Sequence, residues 1–238
     1  MPVSNMPERA AAFVESVLQL KPKVAVFDCD GTLWAPDAGE GFLHWELQHG
    51  LLAPEVARWV RARYADYKAG NVPEDVMCGE MVTIHAGLRD HMVEQAAEDF
   101  FKPHIEPGIF AEMRPLVARL EDRGCAVWAV SSSNQWIIRV AMRRFAIPPE
   151  RILAAEVAVQ NGIITDRLIR IPSGPGKAEA IREKIGPAVD AAFGNTRWDA
   201  EMLQLARHPF AINPTRDFEQ YASQNSWCIY FPDTAKNQ

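Results

Sequence analysis

Cysteine is scarce in this chain of 238 residues. Its four cysteines, Cys29, Cys78, Cys125 and Cys228, form no CxxC pair, which excludes a zinc knuckle and gives no disulfide framework. Positive charge is in the minority: 25 Lys plus Arg face 31 Asp plus Glu, for a formal net charge of -6. A nucleic-acid backbone would find no basic footprint here. No stretch approaches the roughly 18 apolar residues of a membrane span. Residues Met1 to Lys23 lack a continuous apolar segment of signal-peptide length, and Phe13, Val14, Val17 and Leu18 recur there at helical spacing instead. The expectation is a cytoplasmic protein with neither nucleic acid nor membrane as partner. The six histidines include no HExxH pair, so a metalloprotease is excluded as well.

What is present is apolar residue, 48% of the chain against 24% charged, enough for one large domain or one domain with an insertion. Glu8 to Leu20 reads as an amphipathic helix, broken at Pro22 ahead of the β-prone run Val24-Ala25-Val26-Phe27. Similar short runs recur at Cys125 to Val130, Val189 to Phe193, Phe210 to Ile212 and Trp227 to Phe231, each beside a helical pattern. Buried strands alternating with helices predict an α/β fold, a doubly wound (Rossmann-like) parallel sheet whose ligands bind beyond the strands' carboxyl ends. Val157 to Thr165 holds Asn161-Gly162 between two β-prone runs and predicts a hairpin. From Asp37 to Ile105 the pattern is helical, with candidates at Gly41 to His49, Pro54 to Lys68, Pro73 to His85 and His91 to Phe101. The predicted division is therefore a core of 1–36 and 106–238 with residues 37–105 inserted as a helical unit. A further helix is expected over Gly108 to Arg123, stopped by Gly124, a loop over Pro172 to Gly176, and a loose tail from Asp233 to Gln238.

Chemistry-bearing residues fall where strands end. Asp28-Cys29-Asp30-Gly31-Thr32 follows the first strand, and two acids one residue apart are unusual directly after an apolar run. Ser131-Ser132-Ser133-Asn134 follows the second and leads into a helix start, a geometry suited to anions. Lys177 sits where the Gly174-Pro175-Gly176 loop meets a helical pattern. Ala178 stands where a Walker A loop has Ser or Thr, so this is not a nucleotide P-loop. Gly194-Asn195-Thr196-Arg197-Trp198-Asp199 follows the strand Val189 to Phe193. Taken singly, each segment also reads as an ordinary cap or turn.

In this order, the four segments resemble the motifs of the haloacid dehalogenase-like (HAD) superfamily of phosphohydrolases, and within it the phosphoserine-phosphatase-like branch. Asp28-x-Asp30-Gly31-Thr32 looks like the first motif, Ser131 the second, Lys177 the third and Gly194-Asn195-x-x-x-Asp199 the fourth. The resemblance implies Asp28 as nucleophile and Asp30 as general acid and base in hydrolysis of a small-molecule phosphomonoester through a phospho-aspartate. It implies Ser131 and Lys177 as catalytic partners of the phosphoryl group. Mg²⁺ is the implied cofactor, with Asp28, Asp30 (through its carbonyl), Asn195 and Asp199 as the metal set. Thr32, Ser132, Asn134, Asp37 and Glu40 are the expected phosphate- and substrate-binding residues. Many relatives carry Asp where this chain has Asn195, which removes one negative charge from the metal set. Two other readings stay open: a catalytically weak phosphometabolite-binding or regulatory protein, and a phosphotransferase to an acceptor alcohol.

The resemblance also makes the inserted helical unit a cap over the site. Phe42, Trp45, Trp59, Tyr64 and Tyr67 are candidates for an aromatic wall, and Arg58, Arg61 and Arg63 for binding a substrate carboxylate, although helical spacing fits core packing and a solvated face equally. An exposed face on a cap helix leaves a homodimer open.

Overall fold

The computed structural model describes residues 6–233. Seven strands, β1 Val24–Phe27, β2 Ala126–Asn134, β3 Ile152–Gln160, β4 Ile163–Arg170, β5 Val189–Gly194, β6 Ala206–Ile212 and β7 Cys228–Tyr230, form one sheet in the order β4-β3-β2-β1-β5-β6-β7. All neighbours pair parallel except β3 and β4. That antiparallel pair is the expected hairpin. Asn161 and Gly162 at its tip both have positive φ, 51° and 75°, as a tight primed turn requires. The sheet is thus the doubly wound parallel sheet expected from the sequence.

The chain runs from β1 outward to β2 and β3, then returns to the other side of β1 with β5. This reversal opens a crevice at the carboxyl end of β1, the position where doubly wound sheets bind ligands. The platform beneath it is rigid. Phe27, Phe193 and Phe210 lie side by side in register on β1, β5 and β6. Their rings stack at centroid distances of 4.0 and 4.7 Å. Such pairs add about 0.5–1.5 kcal/mol each beyond the area they bury, and they fix the strand ends from which Asp28 and Asn195 emerge.

Ten helices surround the sheet among the described residues: α1 Glu8–Gln19, α2 Ala38–His49, α3 Pro54–Lys68, α4 Glu74–Thr83, α5 Asp90–His104, α6 Met113–Asp122, α7 Gln135–Arg143, α8 Pro175–Lys184, α9 Ala200–Gln204 and α10 Arg216–Gln224. Two sequence boundaries shift. The helix expected from Gly108 begins only at Met113, because Glu106–Gly108 forms a separate 3-10 turn. The loop expected over Pro172 to Gly176 is shorter, since Pro175 already starts α8 with its ring pre-setting the first helical φ. Of the expected tail only Asp233 is described; 234–238 lie outside the described residues.

Helices α2 to α5 occupy the segment between β1 and β2, and their apolar faces divide in two. Phe42 of α2 and Val93, Ala97, Phe100 and Phe101 of α5 share one continuous core with Phe27, Trp34 and Trp136. Leu43, Leu47, Val60, Tyr64, Met77 and Ile84 gather in a separate small cluster under α3 and α4. The loop into α5 also hydrogen-bonds the hairpin, with Gly87 N donating to Ile164 O at 2.9 Å and Ile164 N to Leu88 O at 2.9 Å. Hence the loop before α5 is tied to the hairpin and α5 itself packs on α7 and α2, while α4 lies on β2, β3 and β4 and, with α3 outside it, roofs the crevice. No helix among the described residues is long and apolar enough to cross a membrane, and all four cysteines are free thiols.

Candidate active site

The turn after β1 projects both acids into the crevice. Gly31 takes φ 78°, open to glycine at no steric cost, and a Cβ there would collide with the side-chain amide of Asn195. That contact brings the end of β5 against the first motif. Asp28 is buried, and its Oδ2 accepts from the Thr32 hydroxyl at 2.8 Å. Its Oδ1 accepts from Lys177 Nζ at 2.6 Å. The same ammonium donates to Asp199 Oδ1 at 2.6 Å, and both Lys177 and Asp199 are buried.

Lys177 lies in the first turn of α8, where the helix dipole disfavours a cation. Burial alone would lower its pKa, but the Asp199 and Asp28 carboxylates outweigh burial and hold the ammonium above its ordinary value. Burial and then the Asp199 charge push Asp28 up to about 6, against the pull of Lys177 and the Thr32 hydroxyl.

Asp30 is held from three directions. Its Oδ1 accepts from Trp34 Nε1 at 2.8 Å and from Ala38 N at 2.7 Å, and Ser133 Oγ donates to Oδ2 at 2.7 Å. Burial, followed by the Asp37 charge, raises it to about 7, in the range that suits a group taking and giving a proton near neutrality. The shift has a consequence for stability. Between pH 4 and 7 the folded chain keeps a proton on Asp30 that the unfolded chain has lost, so stability falls as pH rises through that window. Asp30→Asn, which can keep all three partners, has no such loss. In metal-free buffer its Tm advantage over wild type is expected to be smallest near pH 4, to grow with pH and to level off above about 7; a flat difference across a calorimetric pH series would contradict this.

The serine run is placed by an irregularity the sequence did not announce. Val130 pairs with Leu153 and Asn134 with Ala155, so β2 carries three residues, Ser131 to Ser133, against the single Ala154. Bulges of this kind re-aim side chains at sheet ends, and here Ser132 and Ser133 face the cavity. Ser131 stands behind them, buried, with its Oγ accepting from Ser133 N at 3.1 Å.

The resulting cavity holds about 270 Å³ and is walled by Asp28, Asp30, Asp37, Ser132, Ser133, Lys177 and Asn195, with Tyr67 and Glu74 from the roof and Thr196 and Trp198 at the β5 side. Of the residues singled out from the sequence, Asp28, Asp30, Lys177, Asn195, Ser132 and Asp37 meet here. Glu40 and Asn134 line an adjoining chamber, where Asn134 also caps α7 by accepting from Ile137 N at 3.1 Å.

Three expected roles change. Ser131, read as a catalytic partner of the phosphoryl group, is buried behind the cavity wall with its Oγ accepting from Ser133 N. Thr32, read as phosphate-binding, is fully buried and spends its hydroxyl on Asp28. Asp199, read as a metal ligand, directs Oδ1 at Lys177 and Oδ2 at the amides of Asn195 and Thr196, both at 2.9 Å. Its oxygens are spent behind the cavity wall on closing the turn and anchoring the lysine. Ser133, Trp34 and Glu74 were missed as site residues. Ser133 had a signal in its serine run, whereas nothing near Glu74 in sequence marks it.

Of the expected aromatic wall, only Tyr64 and Tyr67 reach the cavity system. Phe42 and Trp45 pack with Phe100, and Trp59 is exposed. The three arginines are committed elsewhere: Arg58 to Glu55, Arg61 to the carbonyl of Leu47, and Arg63 to both oxygens of Glu80 at 2.7 and 2.9 Å. Arg63 with Glu80 braces α3 against α4.

Among the described residues, no group of three or more His, Cys, Asp or Glu side chains is placed to hold a metal ion. What the crevice does offer is the Asp28 carboxylate and the Asn195 amide beside the turn at Gly31. A hard-oxygen set with one charged member suits Mg²⁺, which takes one or two carboxylates and completes its shell with water and substrate phosphate.

Several known proteins resemble this chain. The chain is 26% identical over 221 residues to a histidinol-phosphatase of Neisseria meningitidis serogroup C, spanning 87% of this chain and 97% of that protein. It is 27% identical over 199 residues to phosphoserine phosphatase SerB1 of Mycobacterium tuberculosis, spanning 79% and 58%. In fold it is similar to a Bordetella pertussis Tohama I protein of unknown function, with a TM-score of 0.77 at 18% identity over 87% of this chain and 97% of that one. A substrate-bound phosphoserine phosphatase shares the fold at a TM-score of 0.59 and 16% identity, covering 90% and 95%. A family model described as haloacid dehalogenase-like hydrolase matches residues 25–204, three-quarters of the chain, and the chain belongs to that family.

Proposed function

We propose that this chain hydrolyses small-molecule phosphomonoesters in two steps through a phosphorylated Asp28. The observation that carries the reading is the juxtaposition of a buried carboxylate held by Lys177 at 2.6 Å with a second carboxyl, Asp30, poised near neutrality. In the first step an Asp28 oxygen attacks phosphorus, the bond from phosphorus to the ester oxygen breaks, and Asp30 gives its proton to the departing alkoxide. In the second step water attacks the phosphoryl group and Asp30 takes the proton. The bond to Asp28 then breaks, releasing inorganic phosphate and restoring the carboxylate.

Trp34 Nε1 and Ala38 N fix one oxygen of Asp30, so the proton resides on the oxygen beside Ser133. Lys177 offsets the charge of Asp28, and the hydroxyls of Ser132 and Ser133 border the space for the phosphoryl oxygens. Asp28, the carbonyl of Asp30 and Asn195 would hold Mg²⁺, which when bound neutralises phosphoryl charge. Helices α3 and α4 act as the cap that excludes water, with Glu74 reaching the core through Ser173 Oγ at 3.1 Å.

Phosphate release from p-nitrophenyl phosphate with Mg²⁺ tests the reading; no release above the uncatalysed rate with a folded protein would overturn it. A second reading, phosphometabolite binding without turnover, is favoured by one observation: with Asn195 neutral and Asp199 spent on Lys177, Asp28 is the single charged metal ligand. The same assay separates the two.

A further inference from the structure

The cavity continues past the reacting groups. Between α2, α3 and α4 it opens into a smaller chamber of about 80 Å³, and the two parts share Asp37, Tyr67, Glu74, Ser132 and Ser133. This chamber offers the ester group of a phosphate seated at Asp28 an adjoining space with room for only a few non-hydrogen atoms.

The wall of that chamber is one-sided in charge. Asp37, Glu40 and Glu74 line it, and the two parts together contain one cationic side chain, Lys177. That ammonium is already committed to Asp28 and Asp199. Glu40 is satisfied by Lys68 Nζ at 3.3 Å and His44 Nε2 at 3.6 Å. Asp37 and Glu74 differ: among the described residues, no Lys, Arg or His nitrogen lies within 4.0 Å of either. Asp37 uses Oδ1 to cap α2 through Glu40 N, and Glu74 accepts only neutral donors, Ser173 Oγ and the Tyr67 hydroxyl.

A second observation concerns the rings. Lys68 Nζ stands 5.7 Å from the centroid of Tyr64 while it pairs with Glu40. One flank of this acidic and aromatic wall thus already holds an ammonium supplied by the chain. The flank facing Asp28, with Asp37, Glu74 and Tyr67, has the same acidic and aromatic groups, and no ammonium among the described residues comes within 4.0 Å of its carboxylates; Lys68 and Lys177 act on Asp37 and Glu74 only from farther away. Among the described residues no guanidinium lines either part of the cavity to receive an incoming carboxylate, and Arg61 and Arg63 are tied to Leu47 and Glu80.

We infer that the ester group of the substrate carries a cation and no carboxylate, so that the substrate class is the phosphomonoester of a small amino alcohol. The inference rests on the phosphatase reading. The ammonium lies between the Asp37 and Glu74 carboxylates against Tyr67, while the phosphate lies at Asp28. Phosphoserine offers the same amine but would place its carboxylate among three acids with no cation to receive it. A neutral alkyl phosphate would leave both carboxylates unpaired.

The test compares phosphate release from phosphoethanolamine, ethyl phosphate and phosphoserine by the full-length protein with Mg²⁺, alongside p-nitrophenyl phosphate as a probe of the chemistry alone. The expected kcat/KM for phosphoethanolamine exceeds that for each of the other two alkyl esters by at least about tenfold. Glu74→Gln, which keeps both partners once one hydroxyl turns to accept from the amide nitrogen, is expected to bring phosphoethanolamine and ethyl phosphate to within about threefold of each other.

Phosphoserine turned over as well as phosphoethanolamine, or a preference that survives Glu74→Gln, would overturn the inference while leaving the phosphatase reading intact. Loss of p-nitrophenyl phosphate hydrolysis would instead sink that reading. In that case the Tm shift of the Asp28→Asn protein with phosphoethanolamine against phosphoserine decides the ligand class without turnover. A larger shift with phosphoethanolamine supports it, and an equal or smaller one overturns it.

Discussion

Asp28→Asn is expected to cut phosphate release from p-nitrophenyl phosphate by at least about 10⁴-fold, the scale of loss when a covalent nucleophile is removed. An amide oxygen carries no charge to attack phosphorus and cannot form the phosphorylated intermediate. The variant should nonetheless fold, because Lys177 keeps Asp199 at 2.6 Å and the Thr32 hydroxyl can still donate to the amide oxygen. Unchanged circular dichroism with abolished turnover is the expected pair of results. Activity within tenfold of wild type would remove Asp28 from the chemistry and leave the fold with no other carboxylate so held at the end of β1.

Lys177→Met is expected to lower stability as well as turnover. In the native chain one ammonium serves two buried carboxylates, Asp28 and Asp199. Removing it strands both, and breaking a buried ion pair from one side costs about 3–5 kcal/mol. In a chain of this size that corresponds to a Tm lowered by roughly 6–20 °C, at about 2–4 °C per kcal/mol.

The pH dependence gives the cause away. Without the lysine, the Asp28 carboxyl is raised further above its unfolded value, so the folded state holds a proton that the unfolded state releases as pH rises. The Tm deficit of the variant in metal-free buffer should therefore be smallest near pH 4 and widen toward neutrality. A deficit independent of pH would mean that Lys177 contributes through packing of its stem rather than through its charge.

Much of this architecture could be read in the residues themselves, for identifiable reasons. Val24 to Phe27 is apolar at every position because a central parallel strand is covered on both faces, and that continuity marks a strand without any partner being known. The Asn161-Gly162 turn was equally readable, since its conformation depends on two residues alone. The first motif stood out because two acids after such a strand have little structural use.

Other features resist reading from a single chain because they depend on partners far apart in it. Asp199 was indistinguishable from a metal ligand until β5 and α8 were seen to bring Lys177 between it and Asp28. Thr32 looked like a phosphate donor until its hydroxyl was found spent inside the turn. The bulge that aims Ser132 and Ser133 exists only as a mismatch with β3. Glu74 reaches the site by folding the roof over the sheet, across a sequence separation of 99 from its partner Ser173.

The order of strands and helices, the residues that end each strand and the acids available for chemistry were determined by the sequence alone, because short-range periodicity and turn chemistry act over a few neighbouring residues. Which acid is free, which is already paired and which sign of charge the ester group meets were decided by tertiary structure. Charges interact through space with strengths set by separation and burial, and neither quantity is written in the order of the chain.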